Sequence, residues 1–174
     1  MAEILKIPAE RVKALSGENG STKRRVEKKC NVTLVIDSDG EIQIEGDPSD
    51  IFFAKDVVKA VGRGFAAEQA LRLLDGDFAL YIIPLKDITS SDKALVRLKG
   101  RVIGENGRIK TRIEEATDSY VSIYGSTISI ISRIDSMEYA KEAVRMLLDG
   151  ARHATVLVYL SKAQRELMER RLKG

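Results

Sequence analysis

The sequence is poor in the residues that build disulfide frameworks and zinc sites. Its 174 residues include one cysteine, Cys30, one histidine, His153, and no tryptophan. A single cysteine excludes an intramolecular disulfide, and one cysteine with one histidine supplies too few soft ligands for a tetrahedral zinc site. We therefore expect no metal and no cofactor. We interpret Cys30 as a small buried thiol and His153 as an ordinary surface or core imidazole.

Long apolar runs are also missing. No segment approaches the roughly 20 apolar residues that a membrane-spanning helix needs, and residues 1–8 lack the pattern of a signal peptide. We expect a soluble, cytoplasmic protein without membrane contact. Hydrophobic residues make up 44% of the chain, which permits one ordinary domain or two small ones. The formal net charge of +3 says little about partners by itself.

A tetrapeptide that occurs twice indicates an internal repeat. Gly-Glu-Asn-Gly at residues 17–20 returns at residues 104–107, an offset of 87 positions. The flanks match at the same offset, as in Lys23 with Lys110, Arg25 with Arg112, Glu27 with Glu114 and Ile36 with Ile123. After a one-residue slip, residues 54–59 resemble residues 140–145. Chance rarely supplies two glycine pairs with the same flanks, so the chain contains one unit twice.

Both copies show the same order of predicted elements. In the first copy, periodicity predicts a strand, two helices around the glycine loop, a hairpin and a closing amphipathic helix, at residues 4–7, 10–16, 21–30, 32–44 and 51–61. In the second copy, the corresponding strand, helices, paired strands and closing helix are predicted at residues 78–85, 92–102, 108–117, 120–124, 127–132 and 137–147. Each copy reads β-α-α-β-β-α, which predicts an α+β protein with a three-stranded antiparallel sheet packed on helices.

The remaining segments complete the predicted domain organisation. Residues 1–62 and 78–152 form the two repeated domains. Residues 63–77 form a connector helix with apolar residues at helical spacing, which indicates packing and not a flexible tether. Residues 153–174 form a C-terminal helix with a basic end.

The repeated glycine loop lies where a chain can hold an anion. It precedes a predicted helix in both copies, and a helix start carries unpaired N–H groups and a partial positive charge. Glycine has no Cβ to keep a phosphodiester backbone away, and it permits a tight turn. Six basic residues and one acid lie between residues 95 and 112, and seven basic residues and three acids between residues 10 and 29. This pattern is typical of a phosphate-contacting surface.

Two other phosphate-binding motifs do not fit the loop. A Walker loop needs Gly-x-x-x-x-Gly-Lys-Ser/Thr after a strand, and no segment supplies it. A dinucleotide-binding fold needs a third glycine and a parallel sheet, whereas the residues after this loop predict a hairpin.

The second loop with its flanks, Val-Ile-Gly-Glu-Asn-Gly-Arg-Ile at residues 102–109, resembles the signature of KH domains. The predicted element order is similar to the type I KH fold. The resemblance implies that the loop clamps the backbone of about four nucleotides of single-stranded RNA while the bases lie in an apolar groove. It further implies that Val102, Ile103 and Ile109 help to line this groove, with Ile123 on its strand side.

Over nearly its whole length, the chain resembles archaeal pre-rRNA-processing KH-domain proteins, counterparts of the eukaryotic small-subunit assembly factor "partner of Nob one". This resemblance implies binding near the 3′ end of the small-subunit rRNA or its precursor, during ribosome assembly and rRNA maturation. The implied protein partners are a maturation endonuclease and the α subunit of the archaeal initiation factor that carries initiator tRNA.

The residues expected to contact RNA are the two loops and their flanks: Lys99, Arg101, Val102, Ile103, Gly104, Glu105, Asn106, Gly107, Arg108, Ile109, Lys110, Arg112 and Ile123 in the second copy, and Gly17, Glu18, Asn19, Gly20, Lys23 and Arg24 in the first. The first copy departs from the KH signature at Ser16 and Thr22, where apolar residues are usual. We therefore expect a more polar groove there and the stronger RNA contact in the second domain. Both loops carry a glutamate, which repels phosphate unless it points away, but two modest linked sites still bind well together.

Two alternative functions are open at this point. An enzyme needs converging acid and base groups, whereas the carboxylates here are scattered among lysines along predicted helix faces, so we expect no catalysis. A protein–protein scaffold in translation or ribosome assembly, with little direct RNA contact, is the main alternative. Two intact basic glycine loops argue against it. The terminal helix, with Lys162, Arg165, Arg170 and Arg171, could contact RNA or a partner, or could simply be solvated.

Overall fold

The computed structural model describes residues 1–174 and divides into two compact units, Met1–Leu80 and Tyr81–Gly174. Each unit has helices packed on a three-stranded antiparallel sheet, and each follows the predicted order β-α-α-β-β-α. The predicted fold class is therefore confirmed. No helix combines the length and apolar character needed to cross a membrane.

The repeated part of the first unit consists of β1 (Ala2–Lys6), α1 (Val12–Ser16), α2 (Ser21–Cys30), β2 (Thr33–Ile36), β3 (Glu41–Glu45) and α3 (Pro48–Gly62). The sheet order is β1-β3-β2, with both pairings antiparallel. Leu34, Ile42 and Ile44 alternate with more exposed residues, and their side chains are buried beneath the helices. The predicted apolar stripe of α3 is buried too, from Ile51 to Val61.

The second copy of the repeat begins with β4 (Phe78–Pro84), whose first three residues precede the second unit, and continues with α5 (Asp92–Ile103), α6 (Arg108–Thr117), β5 (Ser119–Tyr124), β6 (Thr127–Arg133) and α7 (Ile134–Leu148). Its sheet order is β4-β6-β5, which makes β5 an edge strand, as β2 is in the first unit. The hydroxyl of Ser91 accepts a hydrogen bond from the Ala94 amide at 3.2 Å and caps α5, as expected. Unlike β3, strand β6 is buried on both faces from Thr127 to Ser132.

The connector and the terminal helix each pack on a neighbouring helix. The connector forms α4 (Ala67–Ala70) and a 3₁₀ turn over Leu71–Leu74, and both contact α3 of the first unit. The terminal helix, α8 (His153–Lys173), buries one apolar stripe against α6 and α7, formed by Val156, Leu160, Ala163 and Leu167. The basic end of α8 is exposed.

The hairpin explains the one-residue slip between the copies. Ile36 pairs with Ile42 in the first unit, whereas Ile123 pairs with Ile128 in the second. The second hairpin is thus one residue shorter between equivalent pairs. From the glycine loop to the hairpin the copies keep an offset of 87, and α3 and α7 after the hairpin differ by 86, whereas the first strands β1 and β4 do not share this offset.

Small differences in element bounds arise at the beginning of the chain. The first strand is Ala2–Lys6 and not residues 4–7, because backbone pairing with β3 begins before the apolar residues do. Ile7 leaves the strand but is buried, and its amide donates to the carbonyl of Gly40 at 2.8 Å. The helix predicted at residues 10–16 is a 3₁₀ turn over Ala9–Arg11 followed by α1.

Cys30 lies at the end of α2 and is buried, in agreement with its interpretation as a core thiol. Burial disfavours the thiolate, and the negative charge of Asp50 acts in the same direction. Together they raise the pKa of the Cys30 thiol to about 11.

Candidate nucleic-acid interface

The glycine loop follows the same backbone path in both units. In the second unit, Gly104 has φ 74° and ψ 174°, Asn106 has φ 57° and ψ 28°, and Gly107 has φ 73° and ψ 12°. The corresponding residues of the first loop agree within a few degrees. The asparagine tolerates its left-handed conformation because its short polar side chain suits that region. The repeat in sequence is therefore a repeat in geometry.

The first glycine of each loop is required by packing. A Cβ on Gly104 would lie 2.4 Å from Cγ1 of Ile109, and a Cβ on Gly17 would lie 2.2 Å from Oγ1 of Thr22. The positive φ with an extended ψ is also a region that is essentially restricted to glycine. This glycine thus lets the loop sit directly on the following helix.

The second glycine of the second loop faces open space. A Cβ on Gly107 would meet no atom within 4 Å. No side chain caps α6, so the amides of its first turn have no side-chain acceptor. An uncapped helix start beside an unobstructed glycine can accept an anionic group from outside the protein.

The two loops differ in how open they are. In the first unit, Arg24 Nη1 donates to the carbonyl of Asn19 at 2.8 Å and lies 3.1 Å from the position of a Cβ on Gly20. The equivalent of Arg24 in the second unit is Thr111, whose side chain is too short to reach the loop. The Arg24 side chain therefore covers the first loop, whereas the second loop is uncovered.

The apolar residues expected to line the second groove divide into two groups. Val102 is fully buried and Ile109 is 4% exposed, so both belong to the core. This corrects their expected role, because such side chains support the surface from below and present almost no area to a base. Ile103 and Ile123 are partly exposed, Ile103 at the end of α5 and Ile123 on the edge strand β5. In the first unit, the equivalent of Ile103 is Ser16, which makes that surface more polar.

Arg101, which was expected to contact RNA, is partly buried and turned toward the closing helix. Its guanidinium donates to the carbonyls of Leu147 (2.7 Å) and Ala151, at the C-terminal end of α7. In the first unit, Arg11 makes the equivalent bonds to the carbonyls of Val61 and Phe65. Both arginines add side-chain donors to carbonyls at and just beyond the end of the closing helix, where the Leu147 and Val61 carbonyls also accept from the amides of Gly150 and Gly64. Arg101 is thus a structural residue, and we leave it out of the interface.

Sequence reasoning missed this arginine pair because the two donors are not equivalent in sequence. Arg11 lies six positions before its loop, whereas Arg101 lies three positions before. Only the accepting carbonyls are equivalent in sequence: Val61 and Phe65 correspond to Leu147 and Ala151 at the offset of 86 that holds after the hairpin. One turn along the same helix face separates the two donor positions, so either can reach the same carbonyls.

Each unit also ties its second loop helix to its edge strand through a glutamate. Glu114 accepts from the Val121 amide at 2.9 Å and pairs with Lys110 at 3.2 Å. In the first unit, Glu27 accepts from the Leu34 amide and pairs with Lys23 at 3.6 Å. The charges of Lys110 and Lys23 are therefore partly compensated, which reduces their attraction for phosphate.

The other residues predicted to contact RNA differ in exposure and in the protein groups that they contact. Lys99 Nζ donates to the carbonyl of Gly125 in the hairpin turn at 2.9 Å, and Arg112 donates to side chains of α8. Glu105 and Asn106 are exposed, as are Glu18 and Asn19 in the first loop. Arg108, directly after Gly107, is exposed and forms no ion pair. Arg108 and the loop backbone are thus the groups most available to a phosphate.

Family comparisons match both units. A family model described as "Eukaryotic type KH-domain (KH-domain type I)" matches residues 79–165, and a model described as "KH domain" matches residues 2–60. A KH domain-containing protein of Methanocaldococcus jannaschii is 42% identical over 176 aligned positions, which cover 98% of this chain and 78% of that protein.

Solved structures are similar over almost the whole chain. Dim2p from Pyrococcus horikoshii is 40% identical, with a TM-score of 0.86 over 93% of this chain and 99% of that one. A protein of unknown function from Aeropyrum pernix is 34% identical, with a TM-score of 0.90 over 99% and 96%. A chain in the a/eIF2alpha–aDim2p–rRNA complex from Pyrococcus horikoshii is 40% identical, with a TM-score of 0.87 over 95% of each chain.

Proposed function

Because the chain belongs to the family of archaeal tandem-KH proteins that includes Dim2p and is related to the eukaryotic "partner of Nob one" factor, we propose that it binds single-stranded RNA of the small ribosomal subunit. Its target is the 3′ region of the rRNA or of its precursor, and its role is in ribosome assembly and rRNA maturation. The observation that carries the proposal is the uncovered glycine loop at the uncapped start of α6.

The geometry supports separate contacts for the phosphates and for the bases of the RNA. Phosphates of the strand approach Gly107 and the first-turn amides of α6, and Arg108 adds a full positive charge beside them. The bases turn toward the partly exposed Ile103 and Ile123, where an apolar surface favours unstacked bases without selecting strongly among them. The protein supplies positioning and electrostatics, and we propose no catalytic step.

The first unit contributes more weakly in this proposal. Arg24 occupies the space in front of Gly20, and Ser16 and Thr22 make the neighbouring surface polar. A strand must displace the Arg24 side chain or use its guanidinium as a contact. Because both units are on one chain, even a weak first site raises the overall affinity through effective concentration.

The proposed protein partners follow from the family. The Pyrococcus horikoshii relative is part of a complex with a/eIF2alpha and rRNA, which supports the α subunit of the initiation factor as a partner of this chain. A maturation endonuclease acting on the same rRNA region is the second proposed partner. We place the protein in the cytoplasm, where ribosomal subunits are assembled in cells without a nucleus.

A loop substitution tests the proposal directly. Replacing Glu105 and Asn106 together by aspartate adds one negative charge where phosphate is expected, and aspartate tolerates the left-handed conformation of position 106. We expect weaker binding to an oligonucleotide from the 3′ end of small-subunit rRNA. The slope of log affinity against log salt should fall by roughly 0.7 for each phosphate of the single strand that the variant no longer neutralises.

The matched control is the same double substitution of Glu18 and Asn19 in the covered first loop. It adds the same charge in the same backbone geometry, so it should have the smaller effect. Unchanged affinity and salt slope for the variant of the second loop would contradict the proposal. Binding to the initiation factor subunit without any RNA binding would favour a scaffold.

A further inference from the structure

A line of arginines follows the seam between α6 and α8 in the second unit. Arg112 Nη2 donates to Gln164 Oε1 at 2.9 Å and to Ser161 Oγ at 3.3 Å. Further along, Arg171 pairs with Asp118 at 3.6 Å. These contacts occur in the same order on both helices, so α6 and α8 run parallel. The start of α6, next to the glycine loop, is therefore level with the first half of α8.

Helical spacing adds two arginines to this seam. Arg108 lies one turn before Arg112 on α6, and Arg165 lies one turn after Ser161 on α8, and residues four apart share a helix face. Arg108 and Arg165 are exposed and form no ion pairs. We call Arg108, Arg112 and Arg165 the arginine line. Arg108 and Arg112 lie one helical turn apart, roughly 6 Å, and Arg165 directly follows Gln164, the residue that Arg112 contacts on α8.

No member of the arginine line forms an ion pair. Both acceptors of Arg112 are neutral, a hydroxyl and a side-chain amide, so its guanidinium keeps its full charge. By contrast, several cations elsewhere in the second unit pair with carboxylates: Lys110, Lys141, Arg145 and Arg171. Exposed acids lie at both ends of the line: Glu105 precedes Arg108 in the loop, and Glu115 and Glu169 lie one turn beyond Arg112 and Arg165.

We propose that the arginine line holds phosphates of an RNA strand that continues past the glycine loop. The second unit then contacts a longer strand than the roughly four nucleotides that a KH groove holds. This inference rests on the proposed function, because the loop fixes where the path begins. RNA is favoured over an acidic protein because Arg108 directly follows Gly107, so one strand at the loop reaches the line without a gap.

The experiment compares two RNAs from the 3′ end of small-subunit rRNA, one of about four nucleotides and one of about ten. For the Arg165→Ala variant, we expect affinity for the longer RNA to fall about threefold, within the range of an exposed charge pair. Its salt slope should fall by roughly 0.7. Affinity for the shorter RNA should not change, because that RNA contacts the loop and Arg108 but ends before Arg165. Arg165→Lys keeps the charge and should restore the slope.

The matched control is Arg170→Ala on the same helix. Arg170 lies 5.6 Å over the ring of Tyr139, on the flank that faces α7, and it is exposed like Arg165. Its removal deletes the same charge from the opposite side and should leave both RNAs bound as before. Glu115→Gln should have the opposite sign to Arg165→Ala and strengthen binding of the longer RNA, because it removes a repulsive charge at the end of the line.

The outcomes separate this inference from the proposed function. If Arg165→Ala leaves the affinity and the salt slope for the longer RNA unchanged, or weakens binding of both RNAs equally, the proposed contact of the arginine line with RNA is wrong. If the Glu105 and Asn106 double variant leaves both RNAs bound normally, the loop itself is not the clamp and the proposed function fails. Weaker binding by the loop variant without weaker binding by Arg165→Ala overturns only the longer path.

Discussion

The two glycines of the second loop should respond differently to the same substitution. Gly104→Ala introduces a Cβ 2.4 Å from Cγ1 of Ile109 and 2.9 Å from the Ile109 amide nitrogen, at a φ of 74° and a ψ of 174°. Gly107→Ala introduces a Cβ with no neighbour within 4 Å, in the ordinary left-handed region. The structure thus assigns the first glycine to packing and the second to ligand access.

The expected magnitudes follow from these environments. A non-glycine residue in the region of Gly104 costs up to about 3 kcal/mol, and forcing a methyl group into a packed site adds about 1–3 kcal/mol. Gly104→Ala should therefore lower the free energy of unfolding of the second unit by about 4 kcal/mol. Gly107→Ala incurs only the left-handed strain, about 1 kcal/mol.

Hydrogen exchange of the α6 and β6 amides measures these changes within the second unit, and the first unit serves as an internal reference. For RNA binding, Gly107→Ala should have the more direct effect of the two substitutions. The Gly107→Ala variant should stay folded, yet its methyl group projects toward the RNA strand. It should therefore weaken RNA binding even when all of the protein is folded. The reasoning is refuted if the two variants destabilise the second unit equally, or if Gly107→Ala binds RNA like the unsubstituted protein.

Two further predictions concern groups outside the loop. Arg101→Met removes two hydrogen bonds from a charged donor to the carbonyls of Leu147 and Ala151, so the free energy of unfolding of the second unit, measured with denaturant, should fall by about 3 kcal/mol. Arg11→Met should have a similar effect on the first unit. Unchanged stability in both variants would contradict the role of these arginines at the helix end. Burial raises the pKa of the Cys30 thiol to about 11, so this single cysteine should react slowly with iodoacetamide at mildly alkaline pH until the first unit unfolds. Because the folded state favours the protonated thiol, its contribution to stability is present below the ordinary thiol pKa and is lost as pH rises toward about 11; rapid labelling of the native protein would count against this burial.

The element order could be predicted from the sequence because local signals agree with one another. Helices α2 and α6 begin directly after glycine loops and end at left-handed residues, Asn31 and Asp118, and their predicted bounds match the structure. The apolar stripe of α3 has helical spacing along its whole length. Where several independent patterns indicate one element, little is left for tertiary contacts to change.

The loop geometry was predictable as a repeat, but its accessibility was not. The identical tetrapeptides indicated one backbone path in both units, and the dihedral angles agree. Whether a side chain covers the loop depends on Arg24 or Thr111, which lie a full turn into the next helix. Such a difference is visible in the sequence only once the path of the Arg24 side chain is known.

The basic flanks were the least predictable part of the site. In the sequence, Arg101, Lys110 and Arg112 are equivalent positive charges around the second loop. In the structure, Arg101 binds a carbonyl at the end of α7, Lys110 pairs with Glu114, and Arg112 contacts α8. The partners lie far along the chain or depend on the rotation of a helix. A local charge count therefore finds the positive surface but cannot say which cations are available to a phosphate.

Chemical shift mapping by NMR identifies the residues that contact RNA. A 3′-end small-subunit rRNA oligonucleotide is titrated into the labelled protein, and amide shifts are followed residue by residue. We expect the largest early changes at Gly107, Arg108 and Ile109, with smaller changes at residues 17–20. Saturable RNA binding that leaves these three amides unmoved while shifting others would contradict this expectation.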